Sequence, residues 1–191
     1  MKNDFEEAPD QLISCIKFGG MINYLRASIR AGLVFFLIVC FNLNNIVAQE
    51  KKLYNPSADA AADIDAAIRQ ASAQNKFVLI QAGGNWCGWC IEFARFAKAD
   101  TAVDSVIRHS FVWYHLNWSK ENENSKIFAQ YNFPQRFGFP VFLVLNQKGE
   151  LIHTQNSEYL EDGKKSYNQK KVKSFLEMWS PAALDAARYT R

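Results

Sequence analysis

The chain is poor in cysteine, and only four of its 191 residues are of this type. Two of them, Cys15 and Cys40, lie in an amino-terminal segment that we expect to be removed, so the mature chain keeps only Cys87 and Cys90. Exported domains that depend on disulfide bonds for stability carry several bridges, so this small supply of thiols excludes a disulfide-stapled scaffold. We therefore expect the remaining pair to serve chemistry.

The chain also lacks a strong excess of charge and a long apolar run. Its 22 basic and 19 acidic residues leave a formal net charge of +3, which argues against a nucleic-acid-binding protein because such proteins cluster basic residues on one face. We interpret the lysines between residues 164 and 173 as a solvated surface. The apolar run over residues 31–41 has 11 residues, whereas a membrane-spanning helix needs about 18 or more.

The amino-terminal region has the pattern of an export signal. Arg26 and Arg30 precede the apolar run, and Ala48 provides a small residue at a suitable cleavage position. A basic region, a short apolar region and a small residue make up a secretory signal peptide. We predict a signal peptide over residues 21–48 with cleavage near Ala48, and hence a periplasmic or secreted mature protein. Retention of this segment as an uncleaved anchor is the alternative.

Residues 1–20 do not fit the start of such a signal. They carry four acidic side chains before Met21, whereas the first region of a signal peptide is basic. We expect Met21 to be the true start and residues 1–20 to be an extension of the gene model. A lipoprotein cysteine at Cys40 is disfavoured because Val39, rather than a small residue, precedes it.

The remainder of the chain has the hydrophobic periodicity of one α/β domain. We predict a linker over residues 49–56, a domain over 57–181 and a carboxyl-terminal tail over 182–191. The predicted order α-β-α-β-α-β-β-α gives helices on both faces of a sheet. The predicted elements are a helix capped by Ser57 or Asp59, a strand over 77–82, a helical stretch from the cysteine motif to about His109, a strand over 111–118, a helix over 120–131, a hairpin of 141–145 and 150–153, and a last helix that Pro181 stops.

The sequence Trp86-Cys87-Gly88-Trp89-Cys90 follows the first predicted strand directly. If Cys87 begins a helix and Cys90 lies in its first turn, the two sulfurs can close a small disulfide ring. The N–H groups and the dipole at the start of that helix then favour a thiolate on Cys87. The spacing therefore indicates a dithiol redox switch.

Two other interpretations of the cysteine pair stay open at this point. One is a permanent structural disulfide. The other is a non-enzymatic binding or metal-handling module, because paired thiolates bind soft metals such as Cu(I) and Zn. Zinc normally takes four ligands and the chain offers no second CxxC or nearby histidine pair, whereas Cu(I) could be held by two thiolates with help from His115.

Three segments together resemble the thioredoxin-fold family over most of residues 59–180. They are the apolar strand that leads into the cysteine motif, the predicted strand at 111–117, and the segment 138–145 followed by Lys148-Gly149-Glu150. The WCGWC motif and the extra amino-terminal helix are similar to secreted bacterial thioredoxin-like proteins. The resemblance implies a thioredoxin fold, with a central mixed sheet between two layers of helices, and a thiol–disulfide oxidoreductase.

The resemblance also implies roles for individual residues. Cys87 would be the attacking thiolate and Cys90 the resolving thiol. The peptide before Pro140 would be cis, beside the cysteines, and the backbone of Phe139 would bind an extended substrate segment as an added strand. The implied substrate-binding residues are Trp86, Gly88, Trp89, Phe139 and Pro140.

Two positions depart from the family pattern. Gln81 stands where the family often has a buried carboxylate that carries the proton of the resolving cysteine, and His115 aligns with a position that is often lysine. Because an amide does not take up a proton at ordinary pH, proton transfer would fall to His115, to water or to Glu92. We expect no metal, and no cofactor besides the redox-active disulfide of Cys87 and Cys90.

The resemblance implies partners of a particular kind. The substrates would be protein disulfides or dithiols, which a reductase or interchange enzyme would reduce or exchange. A membrane protein would supply the electrons, and nucleic acid would play no part. We expect the protein to act as a monomer.

Overall fold

The computed structural model describes residues 52–190. The predicted signal peptide and the predicted extension over residues 1–20 lie outside the described residues. The helices are α1 (Ala60–Ala73), α2 (Gly88–Ala99), α3 (Thr101–Ser110), α4 (Ser125–Gln130) and α5 (Gln169–Met178). The strands are β1 (Phe77–Gly83), β2 (Phe111–Asn117), β3 (Val141–Leu145) and β4 (Leu151–Asn156). Short 3-10 helices occupy Pro134–Phe137, Ser157–Leu160 and Ala186–Arg188.

The four strands form one mixed sheet in the order β2-β1-β3-β4. β1 runs parallel to β2 and antiparallel to β3, and β3 pairs antiparallel with β4. In this register Gln81 of β1 stands opposite His115 of β2 and Phe142 of β3. The mixed sheet that the sequence predicts is confirmed.

The core lies on both faces of the sheet. All seven residues of β1 are buried, as expected of a strand that is covered on both sides. Phe77 and Leu79 pack with α2, α3 and α5 on one face. Val78 and Ile80 pack with α1 and α4 on the other. The predicted two layers of helices, with α1 as the extra amino-terminal helix, are therefore confirmed.

The first helix begins where its sequence predicts. Asp59 has an extended backbone and its carboxylate accepts a hydrogen bond from the N–H of Ala62. This bond satisfies one of the amide groups that the first turn of a helix leaves without a partner. Of the two predicted caps, Ser57 and Asp59, the structure uses Asp59.

Two helices are shorter than their sequences predict. The helical stretch expected to reach His109 is broken at Asp100, whose extended backbone ends α2 and whose carboxylate caps α3. The helix predicted over residues 120–131 begins only at Ser125, because side-chain amides hold the preceding residues in turns: Asn117 donates to the carbonyl of Asn122, and Asn124 donates to that of Asn117. Asparagine and aspartate often compete with helix formation in this way.

Part of the predicted linker over residues 49–56 lies against the cysteine motif. Tyr54 is fully buried, and residues 53–54 pack with the cysteines. Residues 53–54 thus contact the domain that the sequence predicts over residues 57–181. Within residues 52–190, no helix has the length and apolar character needed to cross a membrane.

Candidate active site

The two cysteines of the motif lie at the amino-terminal end of α2 and form a disulfide bond. Cys87 is the N-cap residue, and its sulfur accepts a hydrogen bond from the backbone N–H of Cys90 at 3.1 Å. Cys87 keeps 6% of its surface exposed, whereas Cys90 is fully buried. The sulfur of Cys87 therefore lies where helix N–H groups and the helix dipole stabilise negative charge.

The loop before β3 brings a proline to the same place. The Phe139–Pro140 peptide bond is cis, as the resemblance implied. Pro140 is buried, and Phe139 is half-buried and packs against the two cysteines. β3 lies beside β1 in the sheet, which explains how a loop about fifty residues after the motif meets it.

The two tryptophans of the motif have different environments. Trp86 is 59% exposed, and its indole N–H donates to the backbone carbonyl of Trp118 at 2.7 Å. Its ring meets that of Phe139 edge-on, with 5.5 Å between the ring centres. Trp89 is half-buried and packs edge-on against Tyr167. The exposed apolar ring beside the cysteines is therefore that of Trp86, whereas Trp89 is partly core.

Glycines allow the chain to pass closely around the disulfide. A Cβ atom on Gly83 would lie 2.4 Å from the sulfur of Cys90. A Cβ atom on Gly84 would lie 2.4 Å from the indole nitrogen of Trp86 and 2.6 Å from the carbonyl oxygen of Trp118. Gly88, by contrast, is exposed and has open space around its Cα. The packing is thus tight on the inner side of the motif and open at Gly88.

Gln81 lies beneath the cysteines and is fully buried. Its side-chain nitrogen donates to the backbone carbonyl of Cys90 and to the phenol oxygen of Tyr54, both at 2.8 Å. The bond to the carbonyl of Cys90 fixes the orientation of the amide, because only the nitrogen end can donate. The oxygen of Gln81 has no hydrogen-bond partner among residues 52–190. A neutral amide thus occupies the position that the family often gives to a carboxylate.

His115 stands beside Gln81 on the neighbouring strand. Burial, with a smaller contribution from the positive charge of Lys98, lowers the pKa of His115 to about 4. The imidazole is therefore neutral near pH 7. In the described part of the chain its Nε2 atom has no hydrogen-bond partner, and its ring meets Tyr54 edge-on with 5.6 Å between the ring centres.

Glu92, the other predicted proton carrier, is engaged elsewhere. Its carboxylate makes two hydrogen bonds with Arg95, at 2.7 and 2.8 Å, and accepts another from the hydroxyl of Ser166. The bond with Arg95 is the main reason why the pKa of Glu92 lies below its ordinary value. Glu92 is thus an ionised partner of Arg95, and His115 is the predicted proton carrier that the structure brings next to Gln81.

Tyr54 is the site residue that the sequence analysis missed. It is fully buried, packs against Cys87 and Cys90, and accepts the hydrogen bond from Gln81. The only indication in the sequence is the aromatic side chain beside Leu53, in a stretch that is otherwise mostly polar. Its contacts with the motif are tertiary and leave no local pattern.

No metal cluster accompanies the cysteines in the described residues. Among residues 52–190, no group of three or more histidine, cysteine or acidic residues is arranged to hold a metal ion. A Cu(I) site of the kind considered from the sequence would therefore depend on the two thiolates alone.

Comparison with known proteins identifies the fold. The family profile described as thioredoxin-like matches residues 59–147. The disulphide isomerase from Xylella fastidiosa Temecula1 superimposes with a TM-score of 0.59 at 20% identity, over 67% of this chain and 96% of that one. The chain is a thioredoxin-fold protein.

Two other solved structures align less well. The C-terminal domain of DsbD from Neisseria meningitidis, in its oxidised form, gives a TM-score of 0.46 at 17% identity, over 62% of this chain and 95% of that one. A thioredoxin from Thermus thermophilus gives a TM-score of 0.43 at 16% identity, over 66% and 93%. No curated protein sequence matches the chain.

The fold and the geometry together define the chemistry of the site. In this thioredoxin fold a CxxC disulfide lies at the start of a helix, with a cis-proline beside it. Two cysteines in this arrangement can exchange their disulfide with another thiol pair through a mixed disulfide. The site is that of a thiol–disulfide oxidoreductase.

Proposed function

We propose that this protein is an extracytoplasmic thiol–disulfide oxidoreductase that reduces or exchanges disulfides in protein substrates. The observation that carries the proposal is the position of the Cys87–Cys90 disulfide, at the amino-terminal end of α2 and in contact with the loop of the cis-proline. The extracytoplasmic location is supported by the signal-peptide pattern over residues 21–48.

The reaction consists of two thiol–disulfide exchanges. The thiolate of reduced Cys87 attacks a substrate disulfide, so that one substrate thiolate leaves and a mixed disulfide forms. Cys90 then attacks the sulfur of Cys87, which restores the enzyme disulfide and releases the second substrate thiolate. The electron pair has passed from the enzyme to the substrate, and a membrane-bound dithiol donor would return the enzyme to its reduced form. The reverse sequence oxidises a substrate dithiol.

The surface around the disulfide suits an extended polypeptide. Trp86 offers an exposed apolar ring next to Cys87, and this ring meets that of Phe139, whose backbone precedes the cis-proline. Proline has no N–H, so the strand end at Pro140 leaves room for a substrate chain to pair with Phe139 as an added strand. Trp86 would supply apolar contact to the same segment.

The proton of Cys90 would pass to His115. The imidazole of His115 is neutral near pH 7, but its low pKa of about 4 makes it a weak base, so it would hold the proton only in passing to solvent. Its position opposite Gln81, beneath the cysteines, supports this assignment. Glu92 is less suitable because Arg95 and Ser166 occupy its carboxylate.

Trapping of the mixed disulfide tests the proposal. The Cys90→Ser variant, first reduced by a dithiol and then mixed with a disulfide-containing model protein, should form a covalent adduct that a dithiol releases. With Cys15 and Cys40 replaced by serine in both proteins, the Cys87→Ser/Cys90→Ser variant is the matched control and should form none. Failure of Cys90→Ser to form any adduct would contradict the proposed activity.

A further inference from the structure

Tyr54 lies beside the buried resolving cysteine, although it belongs to the segment before the first helix. We propose that, in the reduced protein, the hydroxyl group of Tyr54 donates a hydrogen bond to the sulfur of Cys90 and so stabilises its thiolate. Tyr54 would be a positioning residue for the second exchange step. This inference deepens the proposed function and rests on it.

The segment that carries Tyr54 is fastened to the loop before the cysteine motif. The backbone N–H of Tyr54 donates to the side-chain oxygen of Asn85 at 3.1 Å, and the side-chain nitrogen of Asn85 donates back to the carbonyl of Tyr54 at 2.8 Å. Two residues later, the carbonyl of Pro56 accepts a hydrogen bond from Asn122. These bonds fix the backbone of Tyr54 relative to the motif.

The phenol oxygen of Tyr54 and the sulfur of Cys90 lie close together. A Cβ atom on Gly83 would be 3.0 Å from that oxygen and 2.4 Å from that sulfur, so the two atoms can be no farther apart than the sum of these distances. Tyr54 also packs in one buried cluster with both cysteines. Once its bond to Cys87 is broken, the side chain of Cys90 is free to rotate, and this rotation would bring its sulfur within hydrogen-bond distance of the phenol.

Gln81 determines which way the phenol can donate. The amide nitrogen of Gln81 donates to the carbonyl of Cys90, which fixes the orientation of the amide. The same nitrogen faces the phenol oxygen of Tyr54, so the phenol oxygen is the acceptor in the bond between them. Within residues 52–190 this is the one hydrogen bond that the phenol makes, so none of these residues accepts its proton in the oxidised form. Reduction turns Cys90 into a thiol or thiolate, which can accept it.

The effect depends on Tyr54 keeping its proton. Burial raises the pKa of Tyr54 above its ordinary value, so the phenol acts as a neutral donor and never as a base. Burial away from any hydrogen-bond donor disfavours the charged thiolate of Cys90. A buried carboxylate in place of Gln81 would disfavour this thiolate further, because the two negative charges repel each other. A neutral phenol next to the sulfur has the opposite effect.

In the second exchange step Tyr54 keeps its proton, because the bonds that form and break involve only sulfur atoms. The Cys90 thiolate forms a bond to the sulfur of Cys87, and the bond between Cys87 and the substrate sulfur breaks. The electron pair leaves with the substrate sulfur, which takes its proton from solvent. The reduced enzyme that begins the cycle is produced by a dithiol.

The test compares two tyrosine variants of the full chain, Tyr54→Phe and Tyr167→Phe. Tyr167 is also buried, and its hydroxyl donates to the carbonyl of Trp89 in α2, which makes it a matched control. The thiolate absorbance of Cys90 would be titrated in each protein with Cys15, Cys40 and Cys87 replaced by serine, so that Cys90 is the only thiol. Tyr54→Phe should raise the titration midpoint by about one pH unit or more, because hydrogen bonds to charged groups are among the strong ones, and Tyr167→Phe should leave it unchanged.

A kinetic measurement and a measurement on the unaltered protein accompany this titration. Release of substrate from the mixed disulfide should slow about tenfold or more in Tyr54→Phe at neutral pH, and recover as the pH rises. If Tyr54→Phe does not fold, the tyrosine difference spectrum between reduced and oxidised wild-type protein still tests the inference. That spectrum should show a phenol that gains a hydrogen bond on reduction.

The outcomes separate the inference from the proposed function. Equal titration midpoints and equal release rates in Tyr54→Phe and wild type, with a reversible dithiol–disulfide couple in both, would overturn the inference and leave the oxidoreductase intact. The absence of a reversible couple in the wild-type protein would overturn the proposed function, and the inference with it.

Discussion

Substitution of Gly83 by alanine places a methyl group directly against the resolving cysteine. The added Cβ atom would lie 2.4 Å from the sulfur of Cys90 and 3.0 Å from the phenol oxygen of Tyr54. Carbon atoms in good contact are separated by about 3.5–4.0 Å, and sulfur is larger, so the sulfur has to move by about 1 Å. In the oxidised protein that sulfur is also bonded to Cys87 and is the least able to move.

The cost of this change follows from the packing. Overpacking of a buried site costs about 1–3 kcal/mol, and we expect a loss of about 2 kcal/mol in the unfolding free energy of the oxidised form. The reduced form should lose less, because the side chain of Cys90 is then free to rotate. If Gly83→Ala destabilises the reduced form by about 1.4 kcal/mol less than the oxidised form, the reduction potential of the variant rises by about 30 mV.

Gly88→Ala is the control for Gly83→Ala. Gly88 lies between the cysteines, but a Cβ atom there meets nothing within 4 Å, and alanine in a helix is favoured over glycine by about 0.5–1 kcal/mol. Urea unfolding of oxidised and reduced forms, together with thiol trapping in graded redox buffers, measures both effects. If Gly83→Ala matched wild type in stability and potential, the close packing beneath Cys90 would be refuted.

Three further predictions concern other parts of the molecule. His115 should make the fold less stable in acid, because its folded pKa of about 4 lies below its unfolded value of about 6.5 and the unfolded state therefore binds the proton first. Between about pH 7 and about pH 4.5, the unfolding free energy of wild type should fall by about 2 kcal/mol more than that of His115→Gln, as measured by urea unfolding. Asp100→Ala removes the cap of α3 and should cost about 1 kcal/mol in the same assay, whereas Asp100→Asn should retain most of the stability. Trp86→Ala should slow exchange with a protein disulfide more than exchange with a small disulfide in stopped-flow kinetics, and equal slowing of both would contradict a docking role. Tyr159→Ala, at an exposed aromatic residue on the 3-10 helix Ser157–Leu160, is its control and should slow neither.

The parts of the fold that the sequence predicts well are those with strong local patterns. The apolar run of β1 is typical of a strand buried on both faces, and the structure covers it on both faces. In α5, Val172, Phe175 and Leu176 are spaced for one helix face, and all three are buried. The cysteine spacing likewise predicts a helix start, and Cys87 caps α2.

The parts that it predicts poorly depend on side-chain hydrogen bonds or on tertiary contact. Asp100 interrupts a continuous helical pattern because its carboxylate caps the next helix. Tyr54 reaches Gln81 across 27 positions of sequence, which no local pattern reveals. The cis bond before Pro140 came from the family resemblance alone, because a proline in a sequence is trans by default.

The most direct test is the redox titration of the wild-type protein, with the state of Cys87 and Cys90 read by thiol trapping across a graded dithiol–disulfide buffer. We predict a reversible two-electron transition between about −270 mV, the value of thioredoxin, and about −120 mV, that of the strong oxidant DsbA. A disulfide that stays oxidised across this range, or one that does not re-form after reduction, would contradict the assignment of an oxidoreductase.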